Sequence, residues 1–556
     1  MVMNRLNILL ISILAACLLL PFSNRAFLID DEYHFTVAKQ ILEHPLRPYD
    51  FKADELGGEM NGWNRGETPW LINPPLMHYF LALGIKIFGE NTTLIRIYFI
   101  IFPLISAICM YCLAAEFTAY PLFAALLMVF TPAFLVTSTG LMIDSVLLAF
   151  YLLTLVLFIK GEKNKNYLLL VFSGICMGLA LLTKYTGISV VFMVALWMFY
   201  RWKNIGNRKF YAVYFAIPAL MFLLWSISNI ISYGQAHLLA CFRDNLISMG
   251  PAWMKILSML VFFSGSLIFP AFIVFRIFNN GKTIPAFSFI ALLACYFLFS
   301  SDFGGFTQKQ SIMMSLFIFF SLTYLLLVLK KYSKLKINKN TVLLLWLTIT
   351  LIVIARSMSG TAARYYLVSI PPAVLLFINF CDENFGNKKY FRLFLSITCI
   401  ITLVSGLAVT YSDYLQADVN RRIAADATSD IKTIRHNKAY FIGNSFTGMH
   451  YYMKKFGWQP LFTGTVLQNN DLVLLSEMIS RPISMAFLPQ IQKEQKNFKY
   501  IKSYVYTSRF PVRIMNKNDS AGLYSSFFGS LPFAFSSEPI EIFHLYSYKT
   551  TILNLF

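Results

Sequence analysis

The stretch Phe27-Leu-Ile-Asp-Asp-Glu-Tyr-His-Phe-Thr-Val-Ala-Lys-Gln-Ile-Leu-Glu-His-Pro45 directly follows the first apolar segment of the chain. It carries three consecutive acidic residues, Asp30, Asp31 and Glu32, at the end of a segment that is apolar enough to enter a membrane. Charge beside hydrocarbon is costly unless it is solvated or paired. Acidic residues also favour the first turn of a helix, so residues 29–42 would equally suit a short interfacial helix with a solvated start. The two interpretations differ in whether the acids have partners elsewhere in the chain.

The composition is that of a membrane protein. Of the 556 residues, 57% are hydrophobic and 13% are charged, and the mean hydropathy is +0.60. A soluble protein does not bury that much apolar surface, so we predict a polytopic α-helical membrane protein. The net charge of +20 would suggest a nucleic-acid partner for a soluble protein. Here we predict none, because Lys and Arg concentrate in the cytoplasmic loops of membrane proteins.

Hydropathy predicts about thirteen membrane spans. The first, Leu6 to Pro21, resembles a signal peptide but has no small-x-small cleavage site before Asp30, so we expect an uncleaved span. Residues 74–89 form an apolar segment opened by two prolines, and its roughly 14 residues fall short of the ~20 needed to cross a bilayer. The other spans are expected near residues 93–115, 120–137, 140–160, 167–184, 186–200, 210–231, 253–277, 284–300, 310–330, 341–356, 364–380 and 391–411.

Loop charge supports an interfacial position for residues 74–89. With a cytoplasmic N-terminus, this choice places the basic clusters in cytoplasmic loops, whereas a crossing helix at 74–89 would put them outside. The acidic stretch, Asp144, Lys184, Arg364 and residues 412–556 then all lie on the external side. The cytoplasmic clusters are Lys160, Lys163 and Lys165; Arg201, Lys203, Arg208 and Lys209; Arg276 and Lys282; Lys330, Lys331, Lys334, Lys336 and Lys339; and Lys388, Lys389 and Arg392.

The chain is predicted to have two parts. Residues 1–411 would form the transmembrane domain, with interfacial helices in a first external loop at 24–92. Residues 412–556 mix alternating runs, at 438–443 and 500–506, with polar helix-like stretches, which predicts a small soluble α/β domain. All eight cysteines precede residue 400. None has metal-ligand spacing, so we expect them to be core residues.

Charged residues at span ends are the candidates for chemistry. Asp144 lies at the outer end of one span and Lys184 at the outer turn of a helical hairpin. Singly, they would be a helix cap and a snorkelling anchor. Acids and bases that share a water-accessible cavity instead mark the path of a polar substrate.

Such a cavity suits sugar transfer from a lipid-linked phosphate. A carboxylate would act as general base on the acceptor hydroxyl as it attacks the anomeric carbon. Lys or Arg would stabilise the leaving phosphate. Because nucleotide sugars are not available outside the cytoplasmic membrane, a polyprenyl-phosphate donor is favoured.

Several short motifs resemble those of one family. Residues 31–42, Asp-Glu-Tyr-His-Phe-Thr-Val-Ala-Lys-Gln-Ile-Leu, are similar to the Asp-Glu motif of bacterial C-type glycosyltransferases related to protein O-mannosyltransferases and the lipid A aminoarabinose transferase. Residues 73–76, Asn-Pro-Pro-Leu, resemble their Lys-Pro-Pro-Leu turn. Residues 178–187 resemble their Gly-Leu-…-Leu-Thr-Lys-Gly segment, and Arg364-Tyr-Tyr-Leu with the prolines at 371 and 372 resembles a late Arg-Tyr-…-Pro motif. The resemblance covers about residues 5–410 in order and topology.

The resemblance implies roles for particular residues. Asp31 would be the catalytic carboxylate supported by Glu32, with Asp30 as the alternative base, because an Asp-Asp pair leaves the register open by one residue. Asp144 would be the second acid. The donor phosphate or the acceptor would be held by Lys184, Arg364, Asn73, His78 and Tyr365.

Two departures from the family pattern matter. Asn73 stands where the aminoarabinose transferase has Lys, so one phosphate contact is missing or supplied elsewhere. Ile72 stands where that enzyme has an acid that contributes to a metal site, so no metal is carried over, although a divalent ion on the external carboxylates stays open. We expect His34 and His78 to hydrogen-bond locally and not to act as metal ligands.

The leading hypothesis is an inverting glycosyltransferase of the bacterial cytoplasmic (inner) membrane, with its site facing the periplasm. Its acceptor would be lipid A, another envelope glycan, or a Ser/Thr of a secreted protein. The alternatives are a transporter or flippase for a lipid-linked sugar and an envelope-assembly scaffold. Transporters usually place polar residues at mid-membrane, often in inverted repeats. Here the charged candidates cluster at one face and no repeat is evident.

Overall fold

The computed structural model describes most of the chain from residue 4 to residue 549. Its helices are α1 (Arg5–Leu19), α2 (Asp31–Glu43), α3 (Leu76–Phe88), α4 (Thr92–Phe99), α5 (Ile101–Phe117), α6 (Pro121–Phe130), α7 (Pro132–Thr139), α8 (Ile143–Lys163), α9 (Tyr167–Thr183), α10 (Ile188–Arg201), α11 (Arg208–Tyr233), α12 (His237–Asn245), α13 (Ala252–Leu267), α14 (Thr283–Ser300), α15 (Gln308–Tyr332), α16 (Lys339–Ser357), α17 (Ile370–Asn384), α18 (Lys388–Ile431) and α19 (Met449–Lys455). Residues outside the description are 1–3, 56–57, 64–68, 70–72, 205–207, 246–251, 280–282, 301–305, 334–337, 358–359, 444–446, 463–464, 478–496, 517 and 550–556.

The fold is that of a polytopic α-helical membrane protein, as predicted. Within the described residues, seven helices are long and apolar enough to cross a bilayer, and the bent pair α6–α7 would add an eighth. Shorter apolar helices, α9, α10, α13, α14 and α16, occupy the remaining predicted spans. Each predicted span therefore corresponds to an apolar helix.

Prolines break two of the predicted spans. The span expected at 120–137 is two helices that meet at 61°, because Pro132 opens α7 and Thr131 is held extended before it. The span expected at 253–277 ends its α-helix at Leu267. Ile268 then has a φ of 64°, and a 3-10 segment follows that contains Pro270, which has no N–H to continue the α-helix.

The first external loop contains the two short helices that the sequence predicts. Helix α2 has 13 residues and begins immediately after Asp30. Helix α3 also has 13 residues, begins after Pro75, and packs on α2. At 1.5 Å per residue, each spans only about 20 Å, well short of a bilayer core.

Helix α18 joins the membrane part to the C-terminal region. It runs for 44 residues without a break and passes through the predicted domain boundary at residue 412. The division at 411/412 stays a prediction, because α18 gives no structural break at that point. The last turns of α18 pack on the C-terminal sheet through Ile423, Ala424 and Ala427, which are buried with Phe441 and Leu472.

The C-terminal region contains the predicted small sheet. The strands are β3 (Ala439–Phe441), β4 (Gln459–Pro460), β5 (Leu472–Ser476), β6 (Phe498–Tyr506) and β11 (Glu541–Tyr548), in the order β4-β3-β5-β11-β6. Strand β3 pairs parallel with β4 and β5, and β11 pairs antiparallel with β5 and β6. The other described strands of this region form two-stranded sheets: β7 (Val512–Arg513) pairs with β10 (Ala534–Phe535), and β8 (Met515–Asn516) pairs with β9 (Ala521–Gly522). In the first external loop, β1 (Lys52–Glu55) pairs with β2 (Gly58–Asn61).

The expectation that all cysteines are core residues is wrong for Cys17. Its side chain is exposed on α1, whereas six others are buried and Cys295 is intermediate. Helix α1 lies at the outside of the helix assembly, and beyond Arg5 its exposed residues are apolar, as suits a surface facing lipid. A small apolar side chain is stable in lipid as well as in a core.

Candidate functional site

Four of the predicted residues converge at one end of the helices. Lys184 Nζ donates to Asp144 Oδ1 at 2.8 Å. Arg364 bridges the two carboxylates, with its Nη2 2.9 Å from Asp30 Oδ2 and its Nε 3.7 Å from Asp144 Oδ2. The arrangement therefore alternates charge, with two acids and two bases within reach of each other.

Separate elements supply these four side chains. Asp30 precedes the first turn of α2, and Asp144 lies in the first turn of α8. Lys184 directly follows α9, and Arg364 lies in a 3-10 segment, Ala363–Ser369, that precedes α17. Helix ends present polar side chains where apolar spans leave the bilayer, which is why residues so distant in sequence meet here.

A narrow cavity opens beside this cluster. Its volume is about 20 Å³, enough for a water molecule. Asp144, Lys184, Arg364 and Tyr365 form the charged and aromatic part of its wall. Lys184 Nζ lies 4.7 Å from the centre of the Tyr365 ring, a cation–π contact. The rest of the wall is formed by Leu147, Thr186, Ser189, Thr350, Val353, Ile354, Leu367 and Val368.

Asp31 points away from that cavity into a buried ionic network. Its Oδ2 accepts from Arg25 Nη1 at 2.5 Å and from Arg96 Nη2 at 3.0 Å, and its Oδ1 accepts the Leu141 N–H at 2.9 Å. The side chains of Asp31 and Arg25 are fully buried. Arg25 also donates to Asp413 of α18 through Nε at 2.5 Å and Nη2 at 3.2 Å.

This network is neutral, because Arg25 and Arg96 face Asp31 and Asp413. Burial alone would raise the pKa of Asp31, but Arg96, Arg25 and the Leu141 N–H outweigh it and lower the pKa to about 2. A carboxylate that is so strongly stabilised in its charged form is a weak proton acceptor. The role of Asp31 as base stays a prediction, and its surroundings in this structure are those of a structural ion pair.

Glu32 points in a third direction, toward the C-terminal region. Its two oxygens lie 2.5 Å from His450 Nδ1 and 2.9 Å from the Tyr451 N–H. His450 Nε2 lies 2.8 Å from Asp54 Oδ2, which also accepts from Lys454 Nζ at 2.8 Å. The three consecutive acids thus have three different sets of partners.

The two histidines of the first loop contact each other. His34 Nδ1 and His78 Nε2 are 2.9 Å apart, and both side chains are buried. Burial lowers the pKa of each, so a neutral pair sharing one proton accounts for the contact. This is the local hydrogen bonding expected from the sequence. Neither His78 nor Asn73 is among the residues lining the cavity.

The sequence-based question of a metal is not settled by position 72. Ile72 lies outside the described residues. Among the described residues, no group of three or more His, Cys, Asp or Glu side chains is arranged to hold a metal ion.

Sequence reasoning missed the residues that hold the acids in place. These are Arg25, Arg96, Asp54, Asp413 and His450. Arg96 could have been noticed as a lone arginine within an apolar helix, where a charge needs a partner. Asp54 and His450 carry no local signal, because their contacts span 396 to 418 residues of sequence.

Fold and site together define a multi-span helical membrane protein with a cavity at one end of its helices that is lined in part by charged side chains. Residues 72–227 match the family model described as dolichyl-phosphate-mannose-protein mannosyltransferase. The resemblance to this superfamily of membrane glycosyltransferases, predicted from the motifs, is confirmed for that part of the chain. It includes Asp144 and Lys184, whereas Asp30 and Arg364 lie outside the matched residues.

Some solved structures are similar to this chain over more than two thirds of its length. They include ArnT from Cupriavidus metallidurans in the apo state (TM-score 0.42, 13% identity, 89% of this chain and 95% of that one) and the same protein bound to undecaprenyl phosphate (TM-score 0.42, 14% identity, 90% and 96%). The arabinosyltransferase EmbB from Mycobacterium smegmatis is similar with a TM-score of 0.33 and 14% identity, over 72% of this chain and 40% of that one. No curated protein sequence matches this chain.

Proposed function

We propose that this protein transfers a single sugar from a polyprenyl-phosphate donor to an acceptor outside the cytoplasmic membrane. The observation that carries the proposal is that Asp30, Asp144, Lys184 and Arg364 form one ion-paired cluster, of which the last three line one cavity. Two cations suit a phosphate, and two carboxylates suit an acceptor hydroxyl. The family matched by residues 72–227 takes its name from a reaction of this class, with a lipid-phosphate sugar as donor.

In the proposed reaction, Lys184 and Arg364 bind the donor phosphate. Arg364 then exchanges its contact with Asp30 for one with the phosphate, which leaves that carboxylate free to accept a proton. The acceptor oxygen attacks the anomeric carbon, its proton passes to the carboxylate, and the bond from that carbon to the phosphate oxygen breaks. The cations stabilise the charge that develops on the departing polyprenyl phosphate.

Asp30 is the carboxylate that we assign as base. Its side chain is 22% exposed and ion-paired to Arg364, whereas the Asp31 side chain is fully buried between two arginines. Asp144 is the second acid and keeps Lys184 aimed at the cavity. Asp31 and Glu32 would support the site indirectly, through their contacts with other parts of the chain. This departs from the family resemblance, which places the base at Asp31.

The donor tail would lie in the bilayer beside the cavity. By the distribution of basic loops, the cavity and the C-terminal region would lie on the periplasmic side of a bacterial inner membrane. The acceptor, whether lipid A, another envelope glycan or a protein Ser/Thr, would approach from the periplasm. A divalent metal is not required by this scheme.

The direct test is transfer by the purified protein in vesicles. Polyprenyl-phosphate sugars labelled in the sugar would be incubated with lipid A, envelope glycans and periplasmic proteins, and the products identified by mass spectrometry. Label covalently attached to an acceptor supports the proposal. Label that crosses the vesicle membrane with its lipid and is never transferred would instead establish the flippase alternative.

Replacing Lys184 tests the phosphate contact. Lys184→Gln is expected to raise the KM for the donor about 10- to 100-fold, the range for losing a hydrogen bond to a charged group. Lys309→Gln is the matched control, because Lys309 is also a lysine at a helix end, but its Nζ binds the Phe535 carbonyl and it does not line the cavity. Equal donor KM values for the Lys184 variant and the wild type would contradict the assignment.

A further inference from the structure

The C-terminal region contacts the first external loop through a chain of charged side chains. Glu32 on α2, His450 on α19, Asp54 on β1 and Lys454 on α19 follow one another at 2.5 to 2.8 Å. The side chain of His450 is 4% exposed, and those of Glu32 and Asp54 are 8% and 12% exposed. The chain of contacts therefore lies mostly out of water, where an incomplete ion pair is costly.

Both nitrogens of the His450 ring face carboxylates. A carboxylate only accepts hydrogen bonds, so the ring donates from both nitrogens and carries the positive charge that this requires. Other charged groups near the pair are Lys454, 50% exposed, and the residues that line the adjoining pocket, Lys52, Glu90 and Lys455. Tyr451 contributes its backbone N–H to Glu32.

The backbone beside His450 also packs closely against the first loop. Gly448 has a φ of 71°, and a Cβ added there would lie 2.2 Å from the Phe27 carbonyl oxygen. Asn420 of α18 donates to the same carbonyl at 2.9 Å, and the Phe27 N–H donates to the Tyr452 hydroxyl at 3.0 Å. The segment just before Asp30 is thus held by two elements of the C-terminal part of the chain.

These contacts lie on both sides of the proposed base, at Phe27 before it and at Glu32 on α2 after it. Asp30 precedes α2 by one residue, and Glu32 is the second residue of α2. A movement of the first turn of α2 would displace the Asp30 carboxylate from Arg364, 2.9 Å away. Displacement of a catalytic group by about 1 Å is enough to lower turnover about 100-fold.

We propose that His450 is a positioning residue, which joins Glu32 to Asp54 and so fixes the first turn of α2 with Asp30 in contact with Arg364. This assigns the C-terminal region a part in building the active site, beyond any contact with an acceptor. The effect on turnover rests on the proposed function. The effect on the order of α2 does not.

The pH dependence follows from the two carboxylates. Burial opposes the charge on His450, but Glu32 and Asp54 raise its pKa to about 9. A raised pKa in the folded state means that the stabilisation is fully present below pH ~6.5 and is lost as the pH rises through about 9. The first turn of α2 should therefore loosen toward pH 9, and turnover should fall with it.

Hydrogen exchange of residues 31–43 at pH 7 tests the proposal in the full-length protein. His450→Gln, which is neutral, is expected to increase exchange there by up to about 100-fold, because at pH 7 the wild-type ring, with its pKa raised to about 9, is almost fully charged. His450→Lys keeps the charge and should retain most of the protection. His544→Gln is the control, because His544 forms a comparable pair with Glu477 at 3.1 Å on the C-terminal sheet.

The same variants separate positioning from a general structural role in transfer assays. His450→Gln should lower kcat up to about 100-fold with little change in the donor KM. His450→Lys should keep turnover above pH 9, where the wild type loses it. If residues 31–43 of the His450→Gln variant exchange as slowly as those of the wild type, the proposal is overturned. If the wild type does not transfer sugar, the proposed function fails. The exchange result then still decides whether His450 holds α2 in place.

Discussion

Asp30→Asn is expected to reduce sugar transfer by about 100- to 10,000-fold, the range for removal of a general base. Asparagine has nearly the shape of aspartate but does not accept a proton at neutral pH. When the negative charge of Asp30 is removed, Arg364 still has Asp144 at 3.7 Å, so the fold should tolerate the change. Transfer rate, donor binding and thermal unfolding would be measured on the same preparation.

The matched control for Asp30 is Asp50→Asn. Asp50 belongs to the same external loop, its partly exposed carboxylate pairs with Arg47 at 3.4 Å, and it does not line the cavity. We expect this variant to behave as the wild type. Donor binding by Asp30→Asn should be unchanged or stronger, because Arg364 no longer has to give up a carboxylate. Near-normal transfer by Asp30→Asn would remove it from the mechanism.

Asp31→Asn is expected to destabilise the protein by about 3–5 kcal/mol, the usual cost of removing one partner from a buried ion pair. It would leave Arg25 and Arg96 buried with only Asp413 to balance them. The measurements are the yield of folded protein and the temperature of unfolding in detergent, with Asp50→Asn again as the control. Loss of activity in this variant should accompany loss of folded protein.

The two aspartate variants together decide the register of the site. If Asp31→Asn folds as well as the wild type, binds donor and fails to transfer, then Asp31 is the base, as the family resemblance implies. If it unfolds while Asp30→Asn folds and is inactive, Asp30 is the base. The adjacent positions give opposite expectations, so a single set of preparations distinguishes them.

Much of the fold was predictable because hydropathy and length act locally. The apolar helices occur where the sequence predicts spans, and α2 and α3 are the short helices expected in the first loop. The breaks at Thr131 and Ile268 were not predicted. Both lie beside prolines, at 132 and 270, whose effect depends on whether neighbouring helices pack around a bend.

The candidate site was predictable in part. Placing Asp144, Lys184 and Arg364 on one side of the membrane required only loop charge, and the structure brings these side chains together. Their choice of partners was not predictable. Arg25 carries no local signal and Arg96 shows only that it needs a partner, so only their burial against Asp31 shows what they do.

The amino-acid sequence by itself determined that this is a multi-span helical membrane protein with acids and bases gathered at one end. Composition and the period of apolar residues suffice for that, because a bilayer requires long apolar segments whatever their neighbours are. Only the tertiary structure decided where each of Asp30, Asp31 and Glu32 points. Successive residues of a helix differ by about 100° in direction, so three adjacent acids face three surroundings. The partners there come from residues as much as 418 positions away, which no local pattern encodes.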